Sequence, residues 1–227
     1  MIKIYTKIFA ILFPIFLYGC AQPLANLPEY NQQLSIEEQK IQNQLFADSW
    51  LNTYIDVSET GLNILFNAVD LCLAEDQIMG IGVDIATRYD GPEAIRSELT
   101  KKLLLTDEIT VIATGINTPA RKAGLLQGDK IIKINGVDAP YGINANADFY
   151  KIIRDSKEKK HKLLVTRNGQ NKTITVESKN RCRFGFYVDL DNNNFNAFAD
   201  GNIIALSLRM AKWLAQDDLG IALSICA

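Results

Sequence analysis

The run from Ile109 to Ala139 constrains this chain more than any other stretch of it. Ile109, Val111 and Ala113 share one face of a predicted strand. Pro119 then suits the first turn of a short helix, where no backbone donor is required, and Ala120, Ala123 and Leu125 are set to face inward. Gly124 and Gly128 end that helix, and Gly128-Asp129 turns the chain into a second apolar strand through Ile131, Ile132 and Ile134. Asn135-Gly136 follows, a dipeptide that tolerates left-handed backbone angles and so marks a tight turn.

Thr118-Pro119-Ala120, then Ala120-x-x-Ala123-Gly124-Leu125, then Gly128-Asp129-x-Ile131-x-x-Ile134-Asn135-Gly136 resembles the middle of a PDZ domain. The resemblance implies a small β-barrel with a groove for extended or C-terminal peptides. Upstream, Gly80-Ile81-Gly82-Val83 is similar to the loop with which such domains present backbone N–H groups to a peptide carboxylate, and the strand after it, through Ile85, pairs with the peptide. A plain turn is the alternative for these glycines. A nucleotide loop is excluded, because Ile85 stands where G-x-G-x-x-G needs its third glycine. The stretch from Gly91 to Leu104 reads as an inserted helix, an order similar to the PDZ modules of HtrA-type periplasmic proteases. A further helix from Ala145 to Ser156, with Phe149, Ile152 and Ile153 inward, would form the other wall. A hairpin over residues 162–177, turned at Asn168-Gly169, would close the barrel. The resemblance thus assigns peptide contact to Gly80, Ile81, Gly82, Val83, Ile85, Phe149 and Ile152.

The N-terminus has the form of a targeting segment. Lys3 and Lys7 are followed by an apolar run from Ile8 to Tyr18 that is short for a membrane span. Leu17-Tyr18-Gly19-Cys20 resembles a bacterial lipobox, which implies cleavage after Gly19 and a lipid on Cys20; an uncleaved anchor is the alternative. Ala21 after the cysteine resembles lipoproteins sent to the outer membrane, so the mature chain is expected to face the periplasm. In that oxidising setting Cys72, Cys182 and Cys226 remain. Cys72 and Cys182 flank the PDZ-like region, and a bridge between them would tie its two ends together; three free buried thiols are the alternative. No C-x-x-C occurs, so neither a redox dithiol nor a zinc knuckle is supported.

Between tether and PDZ-like region, Ser35-x-x-Glu38 has the form of a capping box, followed by Ile41, Leu45, Phe46 and Leu51 at helical spacing. Leu62, Leu65, Phe66, Val69 and Leu73 make another apolar stripe, so two packed helices are predicted.

The final segment carries a second resemblance. Phe186-Tyr187-Val188-Asp189, Asn196-Ala197-Phe198-Ala199-Asp200-Gly201-Asn202-Ile203-Ile204 and Asp217-Asp218-Leu219 resemble the start of the HtpX/Oma-type zinc metallopeptidase domain. In that family a helix with H-E-x-x-H follows and binds zinc, the glutamate activating water. That motif is absent from this sequence, whose one histidine, His161, lies among lysines and reads as a surface residue. The resemblance therefore implies a truncated relative without catalytic residues, or a non-catalytic half completed by a separately encoded chain. No metal and no cofactor are expected here, zinc belonging only to complete members. Asp189, Asp191, Asn193 and Asp200 have an imperfect EF-hand-like spacing, with Asn194 where glycine is usual, and calcium is not expected. No G-x-S-x-G elbow supports serine chemistry.

Charge excludes one class of partner. Lys and Arg number 24 against 26 Asp and Glu, so no net positive field holds nucleic acid, and the cluster from Lys157 to Lys162 reads as a solvated loop. The expected fold class is α+β. Its segments are a signal peptide over 1–19, a tether over 20–34, N-terminal helices over 35–78, a PDZ-type barrel with two to three helices over 79–178, and an incomplete strand and helix segment over 179–227. The PDZ-like unit is expected to fold alone, whereas Leu206, Met210, Trp213 and Leu214 lack evident partners unless they dock on the N-terminal helices.

Overall fold

The computed structural model describes residues 32–190 and 194–214. The chain divides into two compact units, 1–38 and 39–227. Of the first, only the opening turns of helix α1 (Gln32–Asn67) are described, and they are almost wholly exposed. The targeting segment, Cys20, the tether through residue 31, Asp217, Asp218 and Cys226 lie outside the described residues.

Where two helices were expected, α1 is continuous. Ser35 lies inside its described part and is no cap. Its middle, rich in β-branched residues and holding Gly61, stays helical because packing outweighs weak local propensity. Ala47, Trp50, Leu51, Val57 and Leu65 are buried along one face, and the Thr53 hydroxyl donates back to the Ser49 carbonyl at 2.9 Å. Gly61 is required for space: a Cβ there would lie 2.4 Å from the Phe186 ring. After α1, two short 3₁₀ turns, Val69–Leu71 and Ala74–Asp76, leave Leu71 and Leu73 exposed instead of extending an apolar stripe.

The middle of the chain is a mixed sheet and helix unit. Strands β1 (Gln77–Gly80), β2 (Val83–Ala86), β3 (Ile109–Thr114), β4 (Lys130–Ile134), β5 (Val137–Asp138), β6 (Lys160–Arg167) and β7 (Gln170–Glu177) alternate with helices α2 (Arg96–Lys102), α3 (Pro119–Ala123) and α4 (Ala145–Asp155). The sheet runs β2-β3-β4-β6-β7, with β5 paired to β4. It stays open: β2 and β7 end the order and do not pair with each other, so the expected closed barrel is not formed. Asn168 and Gly169 both take positive φ, 51° and 77°, the geometry that a two-residue hairpin between β6 and β7 needs. Ile109, Val111, Leu125, Ile131, Phe149, Leu163 and Val165 are fully enclosed in the core under α3 and α4.

Two features of this unit escaped the sequence. Asp129 of the Gly-Asp turn is fully buried and receives Arg167 in a two-pronged pair, Nε at 2.6 Å and Nη2 at 2.7 Å. His161 is not a surface residue. It is fully enclosed on β6, its Nε2 lies 3.3 Å from the Ser178 hydroxyl, and Nδ1 has no hydrogen-bond partner. The alternation of β6 places it inward with Leu163 and Val165, while the neighbouring lysines point out.

The C-terminal segment also departs from expectation. β8 (Lys179–Cys182) pairs with β1, and β9 (Gly185–Asp189), β10 (Ala197–Ala199) and β11 (Ile203–Ser207) form a separate sheet in the order β10-β11-β9. Helix α5 (Leu208–Leu214) follows β11 directly. Val188, Leu206, Leu208, Ala211 and Leu214 form a second core with Trp50, Leu51 and Val57 of α1 and with Ile95, Leu99, Leu105 and Ile112. The Trp50 indole donates to the Val188 carbonyl at 3.3 Å. Leu206 and Leu214 thus have their partners on α1, Met210 packs against the same core, and only Trp213 remains exposed. Cys72 and Cys182 are joined by a disulfide with Cα atoms 5.9 Å apart.

Candidate functional site

A cavity of about 400 Å³ opens between β2, α4 and α1, at the loop that joins β1 to β2. Two backbone bonds from the α3 side pin that loop: the Ala120 N–H donates to the Ile81 carbonyl at 2.7 Å and the Gly115 N–H to the Gly82 carbonyl at 3.1 Å. Every described peptide bond is trans, so the N–H groups of Gly82 and Val83 point away from α3. Gly82 needs to be glycine twice over, with φ of +77° and the Thr118 Cβ only 2.3 Å from where its own Cβ would stand. The Thr118 hydroxyl donates to the Gly115 carbonyl at 2.7 Å and fixes the same corner.

The walls come from α4 and β2. Phe149, Tyr150 and Ile153 of α4 line the cavity opposite Val83 and Asp84. β2 is an end strand, and the outer edge of an end strand is where an added strand can pair. Here its carbonyls are already engaged by side chains of α4: the Tyr150 hydroxyl donates to Val83 at 3.2 Å and the Asn146 amide to Ile85 at 3.1 Å. α1 reaches the same strand, since Tyr54 and Ser58 donate to Asp84 Oδ2 at 2.7 and 2.9 Å. Desolvation raises the Asp84 pKa, opposed by these hydrogen bonds, and desolvation followed by the Asp84 charge raises both tyrosines.

Gly80, Ile81, Gly82, Val83 and Phe149, assigned from sequence, are brought together at this cavity. Ile85 is enclosed in the core and borders a second hollow, of about 320 Å³, rather than this one. Ile152 is a correction: it is 40% exposed on another side of α4, beside Pro140, Asp148 and Lys151. Helical geometry explains this, because residues 146, 149, 150 and 153 share one face and 152 does not. That spacing marks Tyr150 as well, which sequence reasoning passed over. Tyr54, Ser58 and Arg181 were also missed, and no local pattern points to them, since they come to the cavity from α1 and β8.

No metal-binding cluster occurs among the described residues. Asp191 and Asn193 of the EF-hand-like spacing lie outside those residues, while Asp200 accepts the N–H groups of Asn202 and Ile203 at 2.8 Å in a turn. Those bonds hold the Asp200 carboxyl below its usual pKa. No described helix is long and apolar enough to cross a membrane.

The PDZ domain family profile matches residues 79–177. Among solved structures, the chain is similar to the HtrA-type protease AlgW with decapeptide, at 28% identity, TM-score 0.36, covering 46% of this chain and 30% of that one. It is similar to the HtrA3 PDZ domain bound to a phage-derived ligand, FGRWV, at 19% identity and TM-score 0.35, over 46% of this chain and 88% of the other. The PDZ domain of EpsC from Vibrio cholerae gives 17% identity and TM-score 0.28, over 50% and 87%. No curated protein matches. The family match, the open sheet and the pinned loop beside α4 together make residues 79–177 of this chain a PDZ domain.

Proposed function

We propose that this chain is a lipid-anchored, non-catalytic peptide receptor of the bacterial cell envelope, which takes extended or C-terminal peptides into the groove between β2 and α4. The observation that supports it is the cavity at the Gly80–Val83 loop, where an end strand, a helix wall and two outward-turned N–H groups converge. The peptide adds to β2 as a further strand and places its last side chain against Phe149 and Ile153. The lipid on Cys20 holds the protein at the outer membrane, facing the periplasm. Titration of the full chain with the pentapeptide FGRWV and with a random peptide library bearing free C-termini tests the groove; saturable binding that competitor peptides displace is the expected result, and none from either source removes the reading. Labelling with palmitate that persists in Cys20→Ala would remove the anchor.

A second reading rests on β10. This end strand of the small sheet, Ala197–Ala199, is exposed along its whole length and belongs to the run that resembles HtpX/Oma-type metallopeptidases. In this reading the chain is the non-catalytic half of an envelope metalloprotease, and a separate chain carrying H-E-x-x-H pairs with β10. Crosslinking from position 198 to such a chain in cells is the expected result, and its absence leaves the receptor reading alone.

A further inference from the structure

Arg181 stands on β8, outside the residues that match the PDZ family, yet its side chain lines the same cavity as the Gly80–Val83 loop. It gets there because Gly80 has no side chain: a Cβ at Gly80 would lie 2.8 Å from Arg181 Nε and 3.0 Å from its Cδ. Gly80 does not take a positive φ, so the room it leaves for Arg181 is what this position requires. The guanidinium is held in place at one end only. Nη1 donates to the carbonyls of Cys182 at 2.9 Å and Phe184 at 3.2 Å, and the remaining N–H groups have no acceptor among the described residues. β8 itself is fixed by its ladder to β1 and by the disulfide from Cys182 to Cys72.

No carboxylate pairs with this group among the described residues. The two other arginines at the cavity are paired, Arg183 with Asp76 and Arg154 with Asp155. Asp84 directs its oxygens to Tyr54, Ser58, Tyr150 and the Ile85 N–H. Arg181 forms no salt bridge among the described residues, and desolvation is the main influence on it, lowering its pKa. A guanidinium stays protonated in such a setting, and a cation partly withdrawn from water without a paired anion gains from the arrival of one. Apolar side chains, Ile78, Phe149, Ile153 and Phe184, surround the remainder of the cavity.

We propose that Arg181 is the anchor for the terminal carboxylate of a bound peptide whose last side chain is apolar. The inference rests on the peptide-binding reading above and specifies its ligand: a free C-terminus, held between the Arg181 fork and the N–H groups of Gly82 and Val83, with the final side chain among the apolar residues. A planar fork suits a carboxylate, which accepts two parallel bonds from it. Because Arg181 lies on β8, the match to the PDZ family alone would not reveal the anchor.

The test measures, on the full chain, the affinities of FGRWV and of peptides selected from the free-C-terminus library, each made as the free acid and as the C-terminal amide. In the unaltered protein the acid is expected to bind roughly tenfold or more tightly than the amide. In Arg181→Gln that ratio falls several-fold, to what the Gly82 and Val83 N–H groups alone sustain, and in Arg181→Lys it lies between, since the charge remains and the fork is lost. Equal affinity of acid and amide for the unaltered protein overturns the inference whether or not any variant folds. A ratio unchanged in a folded Arg181→Gln overturns it too, and leaves the peptide groove standing. If no free-acid peptide binds the unaltered protein, the peptide reading falls and this inference with it. Preference for acidic side chains with indifference to the terminus assigns Arg181 to a side-chain subsite and counts against the proposal.

Discussion

Tyr54 donates its hydroxyl to Asp84 at 2.7 Å, joining positions 30 residues apart and fastening helix α1 to the strand that a peptide would extend. Ser58 donates to the same oxygen from the next turn. The groove is therefore bounded by part of the chain outside the PDZ match, and strand addition competes with internal contacts on β2.

The competition is measurable at Tyr150. Its hydroxyl occupies the Val83 carbonyl, an acceptor that an added strand would use. Tyr150→Phe keeps the ring against the cavity and frees that acceptor. The gain is about 1 kcal/mol, or roughly fivefold in peptide affinity, read by titration with the selected peptide. Unchanged or weaker binding would show that the contact does not oppose the ligand.

Asp129 is enclosed, and its carboxylate takes the two-pronged Arg167 pair together with the Leu126 N–H at 2.9 Å. Asp129→Ala removes the enclosed half of this pair and deprives the Leu126 N–H and Arg167 Nε of their acceptor. A loss of about 3 kcal/mol is expected in denaturant unfolding, because removing one member of a buried pair costs more than the pair itself contributes. A loss below about 1 kcal/mol would place the pair in the class of surface bridges.

Shortening the chain to end at Lys179 removes Cys182, Val188, Leu206, Leu208, Ala211 and Leu214. The face of α1 that carries Trp50, Leu51 and Val57 then meets water. The shortened protein is expected to lose its single cooperative transition and to aggregate, the reverse of what sequence alone suggests. A preserved sharp transition at the same temperature would show that the residues after Lys179 contribute little to the core.

The bridge between Cys72 and Cys182 closes a loop with a sequence separation of 110. In the chain-entropy picture, reduction or the double serine variant costs on the order of 4 kcal/mol. Comparing unfolding midpoints with and without reductant checks this, and Cys72→Ser/Cys182→Ser should be insensitive to the reductant.

Burial lowers the His161 pKa, against a smaller raising effect of Glu158. The folded value lies below the unfolded one, so between the two the unfolded chain binds more protons and stability rises with pH. The contribution is complete above the unfolded value of 6.5 and is lost as pH falls below it. Asp84 has the opposite sign, since its raised pKa favours the folded state on acidification. The change in unfolding midpoint from about pH 7.5 to about pH 5.5 should therefore be compared between the unaltered protein and His161→Gln. The unaltered protein should lose more stability, and equal losses would exclude the histidine as the cause.

Local chemistry made much of the PDZ unit legible. Pro119, Gly124, Gly128 and the pairs Asn135-Gly136 and Asn168-Gly169 dictate helix start, helix end and turns through φ angles that few other residues accept, and alternation or helical spacing set most inward faces. The loop from Gly80 to Val83 and the wall at Phe149 were assigned through the resemblance to PDZ domains and not from local chemistry. Contacts of long range were not legible. The meeting of Arg167 with Asp129, the return of α5 to α1 and the arrival of Arg181 beside Gly80 depend on which surfaces the folded chain brings together. Periodicity states that a face must be covered; only tertiary packing decides by what, because burial is non-directional and any apolar surface of fitting shape can supply it.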